Sequence, residues 1–128
     1  MTQIKWVPLE IVITIHDRQI SRHGGASGIR DLGLLESALA RPQNLKNYGD
    51  PSIFELGASY AFGIAKAHAF VDGNKRTAFQ SCFVFLYING ADLQVDNDAV
   101  VQMMEGLASD QVSESEFAKW LESSSEHI

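Results

Sequence analysis

The sequence predicts an all-α domain. Three observations carry that expectation. Apolar residues recur at helical spacing along most of the chain, capping and stop signals divide it into segments of helix length, and no convincing strand–turn–strand pattern interrupts them. With 128 residues, 45% of them hydrophobic and 20% charged, the chain can bury one real core. We read a single domain over 1–128, with its core at about 7–122 and the shape of a compact bundle of about six helices.

The first helix is expected over residues 7–20. The run Ile11-Val12-Ile13-Thr14-Ile15 is β-branched and favours a strand by propensity. Pro8 nevertheless suits a helix start, and Leu9, Val12, Ile15 (with Ile11) and Gln19 keep helical spacing. Ser21 to Gly28 then breaks the helix. Asp31 caps a second helix, with Leu32, Leu35, Ala38 and Leu39 on its inner face and Pro42 as its end. Residues 42–50 are polar and turn-rich, and read as a flap loop or short hairpin. Asp50-Pro51 opens a third helix whose Gly57, Ala58, Ala61, Gly63 and Ala65 leave room for close neighbours, so it is expected to be central. Asn74 to Ile88 forms a fourth helix, stopped by Asn89-Gly90. Asp96 or Asn97 caps a fifth, with Val100, Val101, Met104 and Leu107 inward. Ser113 and Glu116 form a capping box for a sixth, and Ser123 to Ile128 read as a frayed tail.

Composition excludes several function classes. No apolar run is long enough for a bilayer, and the N-terminus lacks the plan of a signal peptide. The single cysteine, Cys82, lies among phenylalanines and reads as a core residue, so a cytoplasmic setting is expected. Residues 1–91 hold nine Lys/Arg and seven Asp/Glu, net +2, whereas residues 92–128 hold one lysine and nine acids, net −8. An acidic end of this kind argues against direct nucleic-acid binding, which needs a basic face.

Chemistry concentrates in His68-Ala69-Phe70-Val71-Asp72-Gly73-Asn74-Lys75-Arg76-Thr77. Gly73 permits a tight turn, and the helix behind it presents unpaired N–H groups beside Lys75 and Arg76, which is the chemistry of a phosphate site. Asp72 would be repelled by bare phosphate, so a Mg²⁺ ion between them is the better reading. His68 is placed to accept a proton from an attacking hydroxyl. Phe70 needs a place to bury. The same residues also fit plain capping and a solvated, charged helix start.

The ordered string resembles the signature of the Fic/Doc family, His-x-Phe-x-(Asp/Asn/Glu)-(Gly/Ala)-Asn-(Gly/Lys)-Arg, at every fixed position. His16-Asp17, Arg22, Gly24-Gly25 and the stretch Gly28-Ile29-Arg30-Asp31 through Ala38 are similar to the N-terminal half of its Doc-type branch. The resemblance implies a helical fold with a flap and a transferase that moves part of a nucleoside triphosphate onto a protein hydroxyl. It implies His68 as catalytic base, Asp72 as Mg²⁺ ligand, and Gly73, Asn74, Lys75 and Arg76 as the phosphate cradle, with ATP as co-substrate. Lysine at position 75, and phenylalanine at position 79 where AMP-transferring members carry a second arginine, favour the Doc-type kinase. The resemblance to that branch implies a threonine of elongation factor Tu as the target. An AMP transferase and a catalytically silent binding module stay open as alternatives.

Lys66 and Gln80 stand where the Doc-type pattern has arginine and asparagine near the nucleotide. His16, Asp17 and Arg22 are candidates to border the cleft, and they fit loop capping equally well. A metal-dependent phosphohydrolase built on His16-Asp17 is the weaker reading, because no second ligand cluster has suitable spacing. The inhibitory pattern (Ser/Thr)-x-x-x-Glu-(Gly/Asn) is missing, although Glu105-Gly106 comes close with Val101 in the first place. A separate antitoxin is therefore the implied regulator, and a translation factor the implied protein substrate.

Overall fold

A computed structural model of the chain describes residues 3–128. The first two residues of the N-terminal stretch lie outside it. Six helices are present: α1 (Leu9–His23), α2 (Leu32–Asn47), α3 (Ile53–Ala67), α4 (Asn74–Ile88), α5 (Asn97–Ala108) and α6 (Glu114–Ser123). Two three-residue strands, β1 (Ala91–Leu93) and β2 (Ser125–His127), pair antiparallel with Leu93 opposite Ser125. The all-α class holds, with this small strand pair added. Among the described residues no helix is long and apolar enough to cross a membrane.

α3 is the centre, because its small residues let neighbours come close. It packs on α2, α4, α5 and α6, and Leu56 through Ala61 are all buried. A Cβ on Gly63 would stand 3.2 Å from the Ala38 carbonyl oxygen of α2, and one on Gly57 would stand 3.2 Å from Leu86 of α4. At Gly63 the neighbour is backbone, so a larger residue would push α2 and α3 apart; at Gly57 it would press on the Leu86 and Cys82 side chains. Ser52, not Asp50, caps α3, through a capping box with Glu55. Asp50-Pro51 lies just before the cap.

The N-terminal arm crosses this pair of helices. Trp6 stacks on Phe85, and Val7 N–H donates to the buried Tyr60 hydroxyl at 3.0 Å. Burial pushes that hydroxyl's pKa up, with the Val7 hydrogen bond opposing in part. Cys82 is fully buried and its thiol is pushed far above the usual range, so it packs and does not react.

Several local expectations are corrected. α1 runs three residues further than expected, to His23, and buries Val12, His16 and Gln19, while Ile11 faces solvent. α2 does not stop at Pro42; it continues to Asn47, so most of residues 42–50 is helix and not a flap. Pro42 removes the hydrogen bond to the Ala38 carbonyl. That carbonyl lies against Gly63 of α3, and Leu32, expected on the inner face of α2, is exposed instead. Val101 points outward at 51% exposure, and Met104 and Leu107 form the inner face of α5. The tail does not fray: β2 pairs with β1, and Ile128 N–H donates to the Gly90 carbonyl at 2.9 Å. Asp31, Asp96 and the Ser113–Glu116 box cap α2, α5 and α6 as expected.

Candidate active site

The turn between α3 and α4 is built from both helix ends. His68 closes α3 in the left-handed region (φ 49°, ψ 40°) and is exposed. Such a backbone is uncommon for a non-glycine residue and is held here from outside. The Arg30 guanidinium donates to the His68 carbonyl. Arg30 and Asp31 N–H groups both donate to the Ala69 carbonyl, at 2.7 and 3.0 Å, and Val71 N–H donates to Gly28 at 3.1 Å. Residues 28–31 therefore lie antiparallel against 69–71, bridged at Ile29 and Phe70. This segment, and not 42–50, is the one that lines the turn.

Phe70 is the anchor. It is 1% exposed and lies flat on the His16 ring, with centroids 3.8 Å apart. Asn74 brackets its backbone from the other side: its side-chain oxygen accepts from Phe70 N–H at 3.1 Å and its amide donates to the Phe70 carbonyl at 3.0 Å. The Asn74 side chain is thus spent inside the loop. Its backbone N–H is what faces outward.

Gly73 sits at φ +76° as the N-cap of α4, and no side chain caps the helix. The N–H groups of Asn74, Lys75 and Arg76 precede the first intrahelical bond, which runs from Thr77 N–H to the Gly73 carbonyl at 3.1 Å. Three amides without intrahelical partners and the positive end of a 15-residue helix lie there, and the same turn carries two exposed cations, Lys75 and Arg76. Lys75 pairs with Glu105 of α5 at 3.0 Å, with both side chains about half exposed, a contact worth less than about 1 kcal/mol. A phosphate would displace it readily. Arg76 makes no ion pair among the described residues.

Asp72 is exposed on the same rim. One carboxylate oxygen accepts from Gly73 N–H at 2.9 Å, and the other lies 3.4 Å from Ala26 N–H. Both retain free lone pairs. No group of three or more His, Cys, Asp or Glu side chains converges among the described residues. A cation here would be held by one carboxylate and by its ligand's own oxygens, which suits Mg²⁺ and does not suit a protein-only metal cage. The His16-Asp17 phosphohydrolase reading loses its basis, since His16 is buried with one ring nitrogen on the Asp72 carbonyl.

Other expected residues lie apart. The Lys66 ammonium is engaged at the end of α5, on the Ala108 carbonyl at 2.9 Å and on Asp110 at 2.8 Å. Gln80 is half-buried on α4 beyond the first turn. Asp17 and Arg22 are exposed on α1. A groove of about 590 Å³ lies near the start of α3 beside Arg41, Glu55 and Glu114, and no residue of the turn lines it. Arg30 was legible only as part of a string; its hold on His68 needs the fold.

These features define the class. Residues 6–86 match the family model described as Fic/DOC family, and the chain belongs to that family. Within it, the chain is 36% identical to "Protein kinase doc" of Escherichia phage P1 over 113 residues, which is 88% of this chain and 89% of the relative. It is 44% identical to "Toxin Doc" of Mycolicibacterium smegmatis over 77 residues, 59% of each chain. Both place it beside Doc-type toxins.

Proposed function

We propose that this protein is a Doc-like toxin that acts as an ATP- and Mg²⁺-dependent protein kinase on a Ser/Thr hydroxyl of a translation factor, elongation factor Tu-like, and that a separate antitoxin neutralises it. The bare N-terminus of α4, flanked by Lys75 and Arg76, carries this reading. The amides of Asn74, Lys75 and Arg76 grip phosphate oxygens, and Asp72 faces the same ligand from the rim. Asp72 would hold Mg²⁺, and the ion would supply positive charge to offset that of the phosphates. His68 takes the proton of the acceptor hydroxyl as its oxygen bonds to the γ-phosphorus and the bond to the β–γ bridging oxygen breaks, leaving ADP.

Two observations favour phosphoryl over AMP transfer. Lysine occupies position 75, and Phe79 is buried in the core at 8% exposure, so position 79 is turned away from any phosphate. The acceptor segment has a natural seat. Gly28 and Arg30 spend their backbone groups on the turn, which leaves the Ile29 N–H and carbonyl on the outer edge, open to an added strand.

The test is mass spectrometry of purified translation factors after incubation with the protein, ATP and Mg²⁺. A gain of one phosphate on a Ser or Thr is expected. A gain of AMP would move the reading to AMP transfer, and no gain on any factor, with wild-type toxicity intact, would refute the kinase reading. Co-expression with the product of an adjacent small reading frame should restore growth.

A further inference from the structure

His16 is a buried titratable side chain beneath the turn itself, and the proposed reaction leaves it without a part. It is 1% exposed beneath the turn. Its Nε2 lies 2.7 Å from the Asp72 carbonyl oxygen. A carbonyl only accepts, so Nε2 carries the hydrogen and the neutral ring is the Nε2–H tautomer. Nδ1 has Asp17 as a neighbour at 3.9 Å, too far for a hydrogen bond.

The direction of that bond matters. The Asp72–Gly73 peptide is planar and trans, so its C=O and N–H point opposite ways. With the carbonyl held against α1, the Gly73 N–H is turned outward, where it meets the Asp72 carboxylate at 2.9 Å. One imidazole thereby orients both the carboxylate on the rim and the first amide of the turn. The ring also limits the space: a Cβ on Gly73 would lie 3.7 Å from His16 and 3.2 Å from Ile20.

We infer that His16 is a positioning residue for the nucleotide site, acting through the Asp72 carbonyl to fix the peptide between residues 72 and 73. This rests on the nucleotide reading above. A residue that merely fills space beneath Phe70 would be replaceable by another flat ring. A positioning donor would be replaceable only by another N–H.

The test compares the wild-type chain with His16→Phe, which keeps a stacking ring and loses the donor, and His16→Gln, which keeps a donor. Melting temperature, MgATP binding by calorimetry and amide exchange at Gly73 are measured on each. His16→Phe should fold, bind MgATP on the order of tenfold more weakly, as loss of an outer-shell partner does, and exchange the Gly73 amide faster. His16→Gln should recover most of both. Wild-type-like binding and exchange in His16→Phe, or equal losses in both variants, would overturn the inference. Should His16→Phe fail to fold, the wild-type imidazole ¹⁵N spectrum decides. An Nε2–H tautomer coupled to a carbonyl supports the assignment, and an Nδ1–H tautomer refutes it. A wild-type chain that binds no nucleotide would sink the kinase reading, while the Gly73 exchange comparison would still judge His16.

Discussion

Replacing Gly73 by alanine separates the cost of the backbone from the cost to the site. At φ +76° an L side chain pays roughly 1–2 kcal/mol. Loss of unfolded-state freedom returns about 0.4–1 kcal/mol. The new Cβ also meets the tip of Ile20 at 3.2 Å, which a flexible side chain can relieve. The net expectation is about 1 kcal/mol, a fall in melting temperature of roughly 3–5 °C, with the fold retained. Binding should suffer more. The Cβ presses on Ile20 and on the buried His16 beneath the turn, so the turn must shift and the α4 amides with it; losing one charge-assisted hydrogen bond costs about 1.5–3 kcal/mol, on the order of 10- to 100-fold in MgATP affinity. Gly24→Ala is the control. Its φ of +79° with ψ −179° is a region essentially reserved for glycine, so its backbone strain is larger than that at Gly73 (ψ 21°), and its Cβ meets nothing within 4 Å among the described residues. Thermal melts and calorimetry with MgATP should show at least as large a stability loss in Gly24→Ala as in Gly73→Ala, with weakened binding only in Gly73→Ala. Equal affinity in both would refute the assignment of the turn.

Three further outcomes are expected. His68→Ala should cut phosphoryl transfer by about 10²–10⁴-fold while leaving MgATP binding near wild type, read by radiolabel transfer and calorimetry. Tyr60→Phe should lose roughly 1–3 kcal/mol at pH 7, because the Val7 N–H is left unpaired. Since the folded Tyr60 pKa is raised, its stabilising contribution is full below about pH 10 and fades as the unfolded chain ionises above it. The variant's urea midpoint should therefore fall less steeply than wild type between pH 9 and 11. Removing residues 124–128 should cost about 1–2 kcal/mol by deleting the β1–β2 pairing, measured by urea unfolding; an unchanged midpoint would mean the tail contributes nothing.

The turn at 68–77 was legible because its chemistry lies within ten consecutive residues. The helix start at Asn74 and the anchoring of Phe70 both follow from local rules, and both hold. What escaped was non-local. Pro42 ends a helix by local rules, yet α2 runs past it, with Pro42 buried and the preceding turn packed against Gly63 of another helix. The polar Ser125–His127 shows no alternation, and its partner strand lies more than thirty residues earlier. His16 looked like a residue of the cleft edge; the fold lays the turn on top of it. The segment that pairs with the turn, residues 28–31, carried the signal in its glycine and arginine, but pairing depends on where α1 and α2 place it.

The most direct test is an amide NMR titration of the ¹⁵N-labelled chain with Mg²⁺ and a non-hydrolysable ATP analogue. The largest shifts should fall on Gly73, Asn74, Lys75 and Arg76, with Asp72 following, and the groove beside Arg41, Glu55 and Glu114 should stay silent. Shifts centred on that groove, with the amides after Gly73 unmoved, would contradict the account.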